Sequence, residues 1–253
     1  MLILISPAKT LDFQGEVHTS FASKPVFEDK ANQIVSAIKK YNPKKLAEMM
    51  SISDSLANLN YDRFQSWDSP DTPVRQAVLA FKGDVYIGLD AQSMTDDDLV
   101  FAQKHLRILS GLYGVLHPMD LIKPYRLEMG TQLAIKKTTN LYDFWKQHIS
   151  KAIQLELNSM HSNLIINLAS NEYSKSVDFK AMKVNMVSPE FKDYKNGEYK
   201  IISFFAKKAR GLMSSFIIRN RIDNANDIVA FAEDGYAYNN ELSKPGKPVF
   251  TRG

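Results

Sequence analysis

Three short apolar runs, each uncharged and each ending on small, polar and basic residues, constrain the fold more than any other feature of this chain. Residues 1–5 run into Ser6-Pro7-Ala8-Lys9-Thr10. Residues 164–168 run into Ala169-Ser170-Asn171-Glu172-Tyr173-Ser174-Lys175, and residues 201–205 into Ala206-Lys207-Lys208-Ala209-Arg210-Gly211. An uncharged, mainly apolar run of this length reads as a strand buried on both faces. In open α/β sheets, ligands bind outside the carboxyl ends of the strands. Three such ends, each carrying a lysine, predict one positively charged site assembled from distant parts of the chain. They point to an anionic partner before they point to a reaction.

The rest of the pattern fits a sheet with helices around it. Apolar residues at 31, 34, 35 and 38 make a helical stripe over residues 28–41. Pro43 opens a cluster of short helices that reaches Trp67, and residues 74–81 read as a further helix. Residues 84–89 read as a short β-rich piece. Thr95 caps the next helix, and the acidic residues Asp96, Asp97 and Asp98 in its first turn suit the positive helix end better than a metal. Residues 106–110 fit strand or helix, 111–130 a glycine- and proline-rich loop, and 141–160 a long amphipathic helix. Residues 164–169 then read as a central strand. Asn196-Gly197 is a hairpin turn between strands at 190–195 and 198–205. A helix at 207–220 and short strands from 228 complete the chain. With no repeat or linker, residues 1–253 are expected to form a single mixed α/β domain: a largely buried central sheet, a hairpin and surrounding helices.

Charge and cysteine content narrow the function. The net charge is only +4, but eight basic and two acidic residues fall between Lys192 and Arg221, so the basicity is local. There is no cysteine, which excludes disulfides, thiolate metal sites and cysteine nucleophiles. The five histidines form no metal-binding spacing, so no metal and no cofactor is expected. Walker A and Gly-x-Gly-x-x-Gly loops are absent. The first apolar run is too short for a signal peptide or a membrane span, and a cytoplasmic protein is expected.

Several local constellations carry possible chemistry. Ser6 and Lys9 have the Ser-x-x-Lys spacing, but on a strand end, which favours phosphate contact over acyl transfer. Asn167, Ser170, Glu172, Tyr173 and Lys175 crowd the second strand end, where Glu172 suits a general base or a lysine partner. Arg126 and Glu128 would share one face of an extended segment, as a phosphate clamp or as a mutual ion pair. Lys207, Lys208 and Arg210 would open a helix with the wrong sign for its dipole, a cost that anion binding would explain. Residues 46–57 have a helix-turn-helix rhythm, yet the second helix lacks any basic residue and suits packing better than groove reading. Gly111 and Gly114, in Leu109-Ser110-Gly111-Leu112-Tyr113-Gly114-Val115-Leu116, approximate a helix-hairpin-helix turn whose backbone would approach phosphate. An ordinary glycine turn fits them equally.

Taken together, residues 1–12, 110–116, 124–130, 167–170 and 205–213 resemble the bacterial peroxide-stress protein YaaA family over essentially the whole chain. The resemblance implies a cytoplasmic role in the hydrogen-peroxide response, linked to limiting free iron and oxidative DNA damage. It also implies an α/β domain of unusual topology with a basic cleft, a helix-hairpin-helix element and duplex or structured DNA as partner. It brings no established catalytic residues. Ser110 stands where helix-hairpin-helix turns usually carry proline, and the glycine spacing is one residue longer. Two readings follow. The first is a DNA-binding protein that contacts phosphates through Lys9, Arg126, Lys175, Lys207, Lys208 and Arg210, with Gly111 and Gly114 nearby. The second is an enzyme acting on a nucleotide, nucleobase or nucleic acid, with Ser6, Asn167, Ser170, Glu172 and Tyr173 as candidates.

Overall fold

The most deeply buried segment of the molecule is its first strand: Leu2, Ile3, Leu4 and Ile5 are all solvent-inaccessible in the computed structural model, which describes residues 1–253. Burying each such side chain contributes about 1.5–3 kcal/mol. In chain order, β1 (Leu2–Ile5) and the two-residue β2 (Thr10–Leu11) precede helices α1 (Glu28–Ile38), α2 (Pro43–Met50) and α3 (Asp54–Gln65). Then come β3 (Arg75–Gln76), the single-turn α4 (Ala77–Ala80), β4 (Phe81–Lys82), α5 (Asp84–Leu89) and α6 (Asp96–His105). Strands β5 (Leu106–Ser110), β6 (Gly114–Leu116) and β7 (Leu121–Ile122) lead to the long α7 (Leu141–Ser159) and to β8 (Leu164–Asn167). Short helices α8 (Asn171–Ser174) and α9 (Phe179–Met182) lead to β9 (Asn185–Val187) and the hairpin β10 (Glu190–Lys195) and β11 (Glu198–Lys200). Helix α10 (Ser203–Arg219) and strands β12 (Ala237–Lys244) and β13 (Lys247–Arg252) close the fold.

The main sheet has the order β6-β5-β1-β8-β9. Strands β5, β1, β8 and β9 run parallel, with Ile3 aligned to Leu106 on one side and Ile166 on the other, and β6 is an antiparallel edge. From β1 the chain goes to one side for β5 and β6, then crosses to the other for β8 and β9. The carboxyl ends of β1, β5 and β8 therefore meet where the direction of winding reverses, the place where such sheets form a crevice. A second sheet, β11-β10-β13-β12, packs on α10, which also contacts α5 and β1. One connected core of 64 buried residues runs through the molecule. The mixed α/β class expected from the sequence is the class observed.

Two elements are of the other type than their sequences suggest. Residues 84–89 form helix α5, not a β piece: Val85 and Leu89, four apart, are both buried, and Asp84 occupies the first turn. Residues 201–205 do not continue the hairpin strand, because Ser203 already begins α10. Ala206, Ala209, Met213 and Ile217 are buried at helical spacing, so the period of the longer segment prevails over the short apolar run. Residues 74–81, expected as one helix, are divided into β3, α4 and the start of β4. The turn itself is as expected: Asn196 and Gly197 both have positive φ (57° and 86°), as a tight hairpin turn requires.

Helices α5 and α10 cross at backbone contact. A Cβ on Gly211 would lie 1.9 Å from the Val85 carbonyl oxygen, and one on Gly88 2.1 Å from the Lys208 carbonyl oxygen. Only paired glycines allow this approach. It fixes the part of α10 that carries Lys207 and Arg210 against the end of the main sheet.

Candidate functional site

The strand ends open onto a pocket of about 300 Å³. Ser6 to Thr10 follow β1, Ser170, Glu172 and Tyr173 follow β8, and Tyr125 to Glu128 form one wall. The start of α5 (Asp84, Val85) and two residues of α10 (Lys207, Arg210) complete it. Five basic residues line it (Lys9, Lys82, Arg126, Lys207 and Arg210) against three acidic ones (Asp84, Glu128 and Glu172).

Hydrogen bonds hold the two neighbouring strand ends in register. The Ser170 backbone N–H donates to Ser6 Oγ at 2.8 Å, Ser6 Oγ donates to Ser170 Oγ at 3.2 Å, and Tyr86 donates to the Ser6 carbonyl at 3.1 Å. Lys9 Nζ reaches Glu128 Oε1 at 3.7 Å rather than the Ser6 hydroxyl. Ser6 and Lys9 are therefore not a coupled nucleophile and base. Glu128 Oε1 also accepts from Arg126 Nε at 3.1 Å, so the mutual ion pair exists but forms part of the pocket wall. Glu172 Oε1 accepts the Gly130 N–H at 3.1 Å, which ties α8 to that wall. Burial pushes the Tyr86, Tyr125 and Tyr173 hydroxyls well above the ordinary tyrosine range, so all three stay protonated near neutral pH.

Lys207 and Arg210, three apart on α10, share one helix face and both line the pocket. Neither has an acidic partner. Burial alone lowers the Arg210 pKa, and the guanidinium still remains charged. Lys208, one residue on, points away and pairs with Asp234 at 3.2 Å. These cations lie beyond the first turn of α10, which begins at Ser203. The expected gain from a helix N-terminus is absent, because that field fades within the first turn.

Of the residues singled out from the sequence, the pocket gathers Ser6, Lys9, Arg126, Ser170, Glu172, Tyr173, Lys207 and Arg210. Asn167 instead caps its own turn, accepting the Ala169 N–H at 3.2 Å, and Lys175 is exposed outside the pocket. Gly111 and Gly114 are placed quite differently from the expected phosphate contacts. They belong to a β-hairpin between β5 and β6, not to a helix-hairpin-helix turn, and both are buried. A Cβ on Gly111 would meet the Leu127 carbonyl at 2.3 Å, and one on Gly114 the Trp145 ring at 2.6 Å. Ser110 stands in the proline position because its Oγ accepts the backbone N–H groups of Leu112 and Tyr113, at 3.2 and 3.0 Å. Lys82 and Asp84 were not anticipated in the site. The signal was the Gly83-Asp84 step ahead of an i, i+4 apolar pair, a helix start that the β reading concealed.

The model of the family described as peroxide stress protein YaaA matches residues 1–242. The chain belongs to this peroxide-stress family. It is similar to UPF0246 proteins along its full length: 52% identical to that of Teredinibacter turnerae, 50% to that of Saccharophagus degradans and 48% to that of Hahella chejuensis. Each alignment covers 100% of this chain and 99% of the relative. Family membership supports a role in peroxide stress. No helix is long and apolar enough to cross a membrane.

Proposed function

We propose that this peroxide-stress protein binds DNA through its phosphates, with little sequence preference, and so serves the protection of DNA from iron-driven oxidative damage. The contact point is the cation-lined pocket at the sheet's carboxyl edge. One observation carries the reading: Lys207 and Arg210 face the same pocket with no acidic partner, and Arg210 is partly desolvated. A desolvated, unpaired guanidinium is costly, and a phosphate would offset that cost with a charge-assisted, two-pronged hydrogen bond. The test is DNA affinity as a function of salt. The log-log slope is expected to be about −0.9 per phosphate neutralised. Charge reversal of both Lys207 and Arg210 abolishes binding at moderate salt, whereas Lys208→Ala, outside the pocket, leaves it unchanged. Unchanged affinity in the double reversal would refute the reading.

A second reading is favoured by the company the cations keep. Ser6, Ser170, Glu172 and the protonated Tyr173 share their pocket, a mixture of donors and acceptors that phosphate binding alone does not need. An enzyme acting on a nucleotide or nucleobase would use it. Turnover of labelled nucleotides or DNA that is lost in Glu172→Ala would establish this.

A further inference from the structure

The size and lining of the pocket say more about its ligand than its charge does. A phosphate needs cations and donors only. Here Pro7, Ala8, Val85 and Leu127 add apolar wall to the same cavity that holds Ser6, Ser170 and Glu172. Apolar faces with a few polar groups at one edge suit a planar heterocycle, stacked on its faces and hydrogen-bonded along its rim. A cavity of about 300 Å³ takes a single nucleotide, whereas an intact duplex can offer its cations only backbone phosphate at the rim.

A third observation lies on α10. Phe204 is 57% exposed, and its one aromatic neighbour is Phe205 at 5.6 Å between ring centroids. It lies outside the pocket lining, one turn before Lys207 and Lys208 and about 4.5 Å from Lys207 along the helix axis. An exposed aromatic one turn from an unpaired cation is the pairing with which proteins hold unstacked bases next to their phosphates.

We propose that the pocket receives one nucleotide extruded from DNA, its base between the apolar walls, its phosphates on Lys207 and Arg210, and Phe204 stacking at the mouth. This rests on the DNA-binding reading and assigns that reading a ligand: DNA with a mismatched or unpaired base, in preference to intact duplex. Extrusion requires unpairing and unstacking, and both cost least where the base is already mispaired.

The test uses the full chain and two duplexes that carry 2-aminopurine at one position, opposite thymine in one and opposite a mismatching cytosine in the other. Anisotropy reads affinity, and 2-aminopurine emission, quenched in the base stack, reads extrusion. The mismatched duplex is expected to bind roughly tenfold more tightly, the equivalent of about 1.4 kcal/mol, with a clear rise in emission. Ala8→Phe, which fills the pocket, and Phe204→Ala, a surface change that does not depend on the core, should each remove most of the preference and of the rise. Equal affinities with flat emission in bound wild-type protein would overturn the proposal and leave DNA binding intact. A free deoxynucleoside monophosphate binding as tightly as the mismatched duplex would also overturn it. Absence of binding to either duplex at low salt would remove the DNA-binding reading itself.

Discussion

Gly211→Ala tests whether the α5–α10 crossing positions the site. The new Cβ would sit 1.9 Å from the Val85 carbonyl oxygen and 2.7 Å from the Leu89 nitrogen. Ordinary contact begins near 3.4 Å, so the helices must part by about 1.5 Å. The obstacles are backbone atoms, which cannot rotate away as a side-chain end can. Overpacking of this kind costs up to about 3 kcal/mol. Replacing a mid-helix glycine by alanine returns about 1 kcal/mol of helix propensity. The net destabilisation is about 2 kcal/mol, which lowers Tm by about 4–8 °C for a chain of this length. Thermal unfolding followed by circular dichroism measures it. Because Arg210 precedes Gly211, the displacement also moves Lys207 and Arg210 relative to the strand ends, and DNA affinity at a temperature where the variant is folded should fall. A Tm equal to or above that of wild type would refute the reasoning, since it would mean that the two backbones are not in contact.

Gly114→Ala should cost about 2 kcal/mol or more, measured by urea unfolding, because Gly114 has φ 72° and a Cβ would meet the Trp145 ring at 2.6 Å. Its folded fraction should keep the wild-type salt slope for DNA, since the glycine is not presented to phosphate. Thr95→Ala removes one half of a capping box with Asp98 and should cost about 1 kcal/mol in the same assay. His117 contacts Asp120 and Glu156, with Nε2 to Glu156 Oε1 at 3.2 Å. Burial works against its charged form, but these carboxylates prevail and its pKa lies above the ordinary value. Its stabilising contribution is therefore fully present below about pH 6.5 and is lost as pH rises through the native value. Glu156 is held low by His117 and Arg107 against its own burial, so its contribution is present above about pH 4.3 and lost on acidification. The stability that wild type holds over His117→Asn, measured by unfolding from pH 4 to 9, should be largest near pH 5–6 and shrink as pH rises above about 6.5.

The legible parts of this chain were those with a strong, local physical signature. The buried strands at Leu2–Ile5 and Leu164–Asn167 announced themselves as uncharged runs, the long helix α7 by its period, the hairpin by Asn196-Gly197 and the cap by Thr95. The convergence of the first two strand ends into one site followed from the rule for parallel sheets, and the pocket does join Ser6 and Lys9 to Ser170 and Glu172. The third run, four apolar residues around Ser203, fits a strand or the first turns of a helix equally well, and the helix prevails. Lys207 and Arg210 reach the pocket all the same, carried there by the glycine crossing with α5. That crossing was not legible: a glycine in a sequence does not say which backbone it will touch. For the same reason Gly111 and Gly114 suggested a ligand, when the groups that press on them are the Leu127 carbonyl and the Trp145 ring.

The position of β1 also has a kinetic consequence. Ile3 lies between Leu106 and Ile166 in the sheet, so both edges of the innermost strand are filled by segments far along the chain. During synthesis these first residues leave the ribosome well before either neighbour exists. Until β8 emerges, one edge of an entirely apolar strand is open to any other strand that can pair with it. Non-local pairing of this kind slows folding and lengthens the exposure of partly assembled chains. A protein called on during oxidative stress thus fills both edges of its innermost strand only once residues 164–167 have been made, and completes the site at that edge later still, when Lys207 and Arg210 follow.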